Sequence, residues 1–131
     1  MKLNFQYADN SHNESVEKVI ASAPDALAAF DNFDWRGEVK KAEVLKKCSP
    51  TLTVILEDDV EFVWVSAYGD SENPIFISEC NFPGEVSAWF GLSKKQGTVS
   101  LSSDSFSSKQ ARQVIECFLS RSHDLLRELY A

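Results

Sequence analysis

The stretch Thr51 to Tyr68, TLTVILEDDVEFVWVSAY, decides the fold. Leu52, Val54 and Leu56 alternate with Thr51, Thr53 and Ile55. Further on, Phe62, Trp64, Ser66 and Tyr68 alternate with Val63, Val65 and Ala67. A period of two is that of a β-strand, because successive side chains leave a strand on opposite faces. Asp58-Asp59 between the two runs are turn formers. So short a connection makes the two strands antiparallel neighbours. The second run is apolar on both faces, which predicts a central strand covered on both sides.

Toward the C-terminus the pattern repeats. Gly69 to Pro74 reads as a turn, Ile75 to Asn81 as a strand and Pro83-Gly84 as another turn. Val86 to Phe90 follows as a strand, with Trp89 opposite Val86, Ala88 and Phe90. Lys94 to Gly97 turns again, and Thr98 to Ser102 ends the run. These segments predict a five-stranded antiparallel meander. Ser107-Ser108-Lys109-Gln110 then spells a capping box, with Phe106 placed to staple onto Ala111. Ala111, Val114, Ile115, Phe118 and Leu119 form the apolar stripe of a helix lying on a sheet. Leu125, Leu126 and Leu129 resume that stripe after His123-Asp124.

Toward the N-terminus, Leu3, Phe5 and Tyr7 alternate with Lys2, Asn4 and Gln6, a half-buried strand. Val16, Val19, Ile20 and Ala23 follow at helical spacing. Pro24 then opens a second short helix through Leu27, Ala28 and Phe30, ending near Phe30 to Phe33. The segment Asp34–Lys47 fits either a third helix or a strand with exposed lysines. Together these elements predict one α+β domain spanning residues 1–131. Its expected architecture is a five- to six-stranded antiparallel meander sheet with N-terminal and C-terminal helices packed on it.

The 131 residues carry 20 acids against 13 bases, a net charge of −7. This disfavours direct nucleic-acid binding, which needs clustered Lys and Arg. The charge is placed rather than spread. No Lys or Arg occurs between Lys47 and Lys94. Residues 48–93 hold eight acids: Glu57, Asp58, Asp59, Glu61, Asp70, Glu72, Glu79 and Glu85. The remainder is nearly neutral, so the whole excess lies on the meander. Segregated charge bears on association and choice of partner.

No motif for chemistry emerges. There is no C-x-x-C or H-x-x-x-H for a metal, no phosphate-binding loop and no G-x-S-x-G. The acidic run Glu57 to Glu61 lacks the ligand spacing and central Gly of a calcium loop. Cys48, Cys80 and Cys117 are odd in number and far apart, so they are expected as free thiols in a reducing compartment. Cys80 and Cys117 sit in apolar patterns. Cys48 follows Lys46-Lys47, but the sequence puts no general base beside it. His12 and His123 each fall near an expected helix boundary. No catalytic residue, metal or cofactor is therefore expected. With no apolar leader at Met1 to Asp9 and no apolar run of membrane-spanning length, the expected location is the cytoplasm, with no membrane partner. Trp35 lies outside the clear periodic elements and is the candidate exposed anchor.

The order Leu52–Glu57, Phe62–Tyr68 with Gly69-Asp70, Ile75–Cys80 and Ala88-Trp89-Phe90-Gly91 forms a recognisable pattern. It ends in a helix of the form Ser107-x-x-x-Ala111-x-x-x-Ile115-x-x-Phe118-Leu119. Over residues 2–8 and 51–119 the chain resembles small immunity proteins of bacterial polymorphic-toxin and contact-dependent growth-inhibition systems. The resemblance implies a cytosolic, non-catalytic inhibitor. Its partner would be a cognate toxin domain, often a nuclease with a basic cleft. Glu57, Asp58, Asp59, Glu61, Asp70 and Glu72 are the expected toxin contacts, with Trp35 as an apolar anchor. The alternative from a different class is a small ligand-binding or enzymatic α+β domain. It would have a pocket between helix and sheet and use the mixed face Trp64, Ser66 and Tyr68.

Overall fold

A computed structural model describes residues 1–88 and 93–131, the side chains of residues 85–96 excepted. The chain runs β1 (Lys2–Gln6), β2 (Val16–Val19), α1 (Ala23–Asn32), α2 (Trp35–Leu45), β3 (Thr51–Glu57), β4 (Glu61–Tyr68), β5 (Ile75–Ala88), β6 (Ser93–Phe106), α3 (Ser108–Leu119) and α4 (His123–Tyr130). The strands form one antiparallel six-stranded sheet in the order β2-β1-β3-β4-β5-β6. The fold is α+β, with α1 and α2 from mid-chain and α3 and α4 from the C-terminus packed on the sheet.

Strand parity sets the core. Leu3, Leu52, Val54, Val63, Val65, Ala67, Phe76, Cys80 and Phe82 point to one side of the sheet. There they meet Ala26, Phe30, Trp35, Val39, Ala111, Val114, Ile115, Phe118 and Leu126 from the helices. The capping box is formed as its sequence predicts. Ser107 Oγ accepts from the Gln110 amide and Gln110 Oε1 accepts from the Ser107 amide. Phe106 is buried next to that cap. Pro24 sits in the first turn of α1, where its missing N–H has no helical partner to lose.

Four expectations change. Val16–Val19 is a strand hairpinned onto β1, with Phe5 opposite Val16 and Lys2 opposite Val19. Two β-branched residues suit a strand, and the free edge of β1 supplies the pairing that helical spacing alone could not reveal. The ambiguous segment Asp34–Lys47 is helical, because Asp34 Oδ1 caps the Gly37 amide and Lys46 closes the end in the left-handed conformation.

Pro83-Gly84 is not a turn, and Lys94 to Gly97 is not one either. Both lie in the long β5–β6 ladder, with Pro83 opposite Thr98 and Gly84 opposite Gly97. The pairing of β5 with β4 stops at Phe62↔Asn81, so Pro83 sits on an edge, where a missing N–H is tolerated. Gly84 allows close approach, since a Cβ there would come within 3.0 Å of Val99 Cγ2. The expected strand positions Trp89 and Phe90, with Gly91, lie outside the described residues.

The fourth change bears on function. Among the described residues, helices cover β4 on one side only. Its even-numbered side chains face away from the helices and stay partly exposed.

Candidate functional site

The uncovered face is built by register. Lys2, Ile55, Phe62 and Asn81 lie in one row across the sheet. Asn4, Thr53, Trp64 and Glu79 form the next, and Gln6, Thr51, Ser66 and Ile77 a third. Tyr68 and Ile75 continue it. Tyr68, Ile75 and Ile77 are each about two-fifths exposed, at 38%, 40% and 38%. Phe62 and Trp64 are half-buried although no helix among the described residues lies over them. Adjacent exposed apolar side chains of this kind mark an interaction surface more often than scattered ones do. The Tyr68 hydroxyl donates to the Asp104 carbonyl at 2.7 Å, which fixes its ring at the β6 side of the face.

The β3–β4 hairpin brings acids to one end of this face. Asp58 and Asp59 line a hollow of about 210 Å³ together with Thr53, Ile55, Phe62 and Trp64. Asp59 takes φ +61° at the tip, a conformation in which Asp is better tolerated than most residues. Glu57 is exposed at the base of the hairpin opposite the inward-turned Glu61, and Glu79 neighbours Trp64 across the ladder. Lys2 reaches Asp58 at 2.9 Å and Glu17 at 3.4 Å, so part of this charge is compensated within the chain.

The expected contact residues therefore separate into three groups. Glu57, Asp58 and Asp59 stand exposed at the hairpin. Asp70 and Glu72 are also exposed but occupy the β4–β5 turn at the other end of β4, about 25 Å away for an eight-residue strand. Asp70 Oδ1 accepts from the Glu72 amide there, and Glu72 lines a hollow with Phe33 to Arg36 on the helical side.

Glu61 and Trp35 are turned inward. Glu61 is 7% exposed and receives Arg121 Nε and Nη2 at 3.2 and 3.1 Å; this pairing raises the Arg121 pKa. The expected exposure of Trp35 is not met: it is 8% exposed, packed on Phe30, Phe33 and Phe76, and donates its indole N–H to the Phe30 carbonyl at 3.0 Å. Starting α2 turns its ring under the sheet. Parity already carried the signal for Glu61, which shares its face with Val63 and Val65. Trp64 and Phe62 were missed as surface residues because the sequence does not say how many faces the helices cover.

The interior holds little chemistry. Burial pushes the Cys80 thiol up to about 12, and it raises the Tyr130 phenol well above its usual range. Ser78, fully buried, donates to the Trp64 carbonyl at 2.8 Å and meets the Tyr130 hydroxyl at 2.7 Å, which ties α4 to β4 and β5. His123 stacks on Phe82 at 4.0 Å. Among the described residues no three metal-ligating side chains cluster. Nor is any helix among them long and apolar enough to cross a membrane.

Trp64, Ser66 and Tyr68 do not line a pocket between helix and sheet, since they face the other way. A groove of about 600 Å³ does lie between β1–β2 and α1, walled by the near-parallel rings of Phe5, Tyr7 and Phe33. No family model, no curated protein and no solved structure matches this chain.

Proposed function

We propose that the protein is a non-catalytic immunity protein that binds and neutralises a cognate bacterial toxin domain, a nuclease with a basic cleft, in the cytoplasm. The observation that carries this reading is the uncovered sheet face. Its centre is Phe62, Trp64, Tyr68, Ile75 and Ile77, and Asp58, Asp59 and Glu79 border it. Aromatic side chains at the centre supply desolvated anchor area, while acids at the border steer a basic partner and reject acidic ones. The charge of residues 48–93 and the resemblance to immunity proteins support the same reading. Asp70 and Glu72 stand at the far end of β4, in the turn between Tyr68 and Ile75, where they form a second acidic group about 25 Å from the hairpin.

Co-expression with a candidate toxin domain encoded by a neighbouring gene tests the proposal. The wild-type chain restores growth and copurifies with the toxin. An Asp58→Lys/Asp59→Lys variant loses at least ~10-fold in affinity, with a weaker salt dependence than wild type. Trp64→Ala loses about 30-fold, corresponding to ~2 kcal/mol. Unchanged affinity in both folded variants removes this face from the interface, and failure of the wild-type chain to restore growth removes the immunity reading.

The aromatic groove beside α1 favours the second reading, a small-molecule binding domain. A small molecule retained through purification and displaced by Phe33→Ala would decide for it.

A further inference from the structure

We propose that Cys48 and His12 form a reactive thiol site that takes low-molecular-weight disulfides, with Cys48 as the site of mixed-disulfide formation. The two residues are 36 positions apart, and the fold brings them together. The β1–β2 connection carries His12, and the link from α2 to β3 carries Cys48. Cys48 Sγ lies 3.9 Å from His12 Nδ1, within reach of a weak S–H···N contact. This pair supplies the base that the sequence alone did not place beside Cys48.

Both side chains line a hollow of about 480 Å³ on the uncovered side of the sheet, with Lys47, Thr51, Trp64 and Ser66 among its walls. That volume falls in the range of small-molecule sites. His12 is exposed, whereas Cys48 is only 7% exposed, so a reagent reaches the sulfur through the hollow. The other thiols are poorer candidates. Cys80 is fully buried, with its thiol pushed up to about 12, and burial together with Glu116 raises the Cys117 thiol.

The chemistry is thiol–disulfide exchange. His12 Nδ1 accepts the Cys48 proton, and Sγ attacks one sulfur of the incoming disulfide. The new S–S bond forms as the old one breaks. The departing thiolate then takes the proton from the imidazolium. Cys48 is oxidised, the small disulfide is reduced to one thiol and one mixed half, and no other reagent is consumed. The site does not depend on the identity of any protein partner.

The test treats the folded full-length chain with oxidised glutathione and follows intact mass and peptide maps over time. The expected result is one adduct, on Cys48, absent in Cys48→Ser and unaffected by Cys117→Ser. His12→Ala, at an exposed position, folds with an unchanged circular dichroism spectrum and reacts at least ~10-fold more slowly. Free imidazole restores part of that rate. Three results each overturn the proposal: the first adduct appears on Cys117; the native chain stays unmodified while the urea-unfolded chain reacts; or His12→Ala reacts as fast as wild type.

Discussion

Trp35 and Trp64 belong to opposite sides of the sheet, and truncating each to alanine separates stability from surface. Trp35 packs at ring-centroid distances of 5.4 Å from Phe30, 4.2 Å from Phe33 and 5.0 Å from Phe76. Its indole N–H satisfies the Phe30 carbonyl. Removing a buried tryptophan typically costs about 3–5 kcal/mol through lost transfer energy and the cavity left behind. A value near ~4 kcal/mol is a large share of the ~5–15 kcal/mol that holds a domain together. For a chain of this length it lowers the melting temperature by about 15 °C. Trp64 lies on the face that no helix covers, so Trp64→Ala costs only about 1 kcal/mol in lost cross-strand contact with Thr53 and Glu79. Urea unfolding of both variants, monitored by circular dichroism at constant m-value, measures the difference. A Trp35→Ala loss below ~1.5 kcal/mol, or a Trp64→Ala loss equal to it, refutes this assignment of the two faces.

Other substitutions probe the supports. Asp31 on α1 and Arg112 on α3 form a two-point contact at 2.9 and 3.0 Å, and that contact holds the Asp31 carboxyl below its usual range. A depressed folded-state pKa adds stability above the unfolded-state value, ~4, and that stability is lost as pH falls through the folded-state value. An NMR titration should show the Asp31 midpoint rising in Arg112→Ala, with acid unfolding at slightly higher pH; an unmoved midpoint contradicts the pairing. Ser107→Ala removes one half of the capping box and lowers unfolding free energy by about 1 kcal/mol, read by urea titration. Arg121→Ala leaves the inward-facing Glu61 carboxylate without its partner and costs about 1–2 kcal/mol; Arg121→Ala/Glu61→Gln recovers part of this, and no recovery in that double variant rules out the coupling.

Local signals made much of the fold legible. The alternation in Thr51–Glu57 and Glu61–Tyr68 identified β3 and β4, and Asp58-Asp59 fixed the hairpin between them. Ser107 and Gln110 marked the start of α3 because a cap is a contact between near neighbours. Val16, Val19, Ile20 and Ala23 follow the helical period and do not alternate, so only pairing with the edge of β1 makes Val16–Val19 a strand. Pro83-Gly84 looked like a turn because its local chemistry is that of a turn. The ladder with β6 and the absence of β4 alongside make it a strand.

By itself the sequence determined the class of fold, the parity of each central strand and the concentration of acids between Cys48 and Ser93. These rest on periodicity and composition, which are local or additive. The tertiary structure alone decided which parity is covered. All four helices contribute to the core on one side of the sheet, so Val63 and Val65 are buried while Phe62 and Trp64 face outward. It also turned Glu61 onto Arg121, sank Trp35 among phenylalanines, and set His12 beside Cys48. Each is a meeting of residues distant in the chain or a choice of side. Such contacts depend on how the layers close over one another, and no spacing along the chain encodes them.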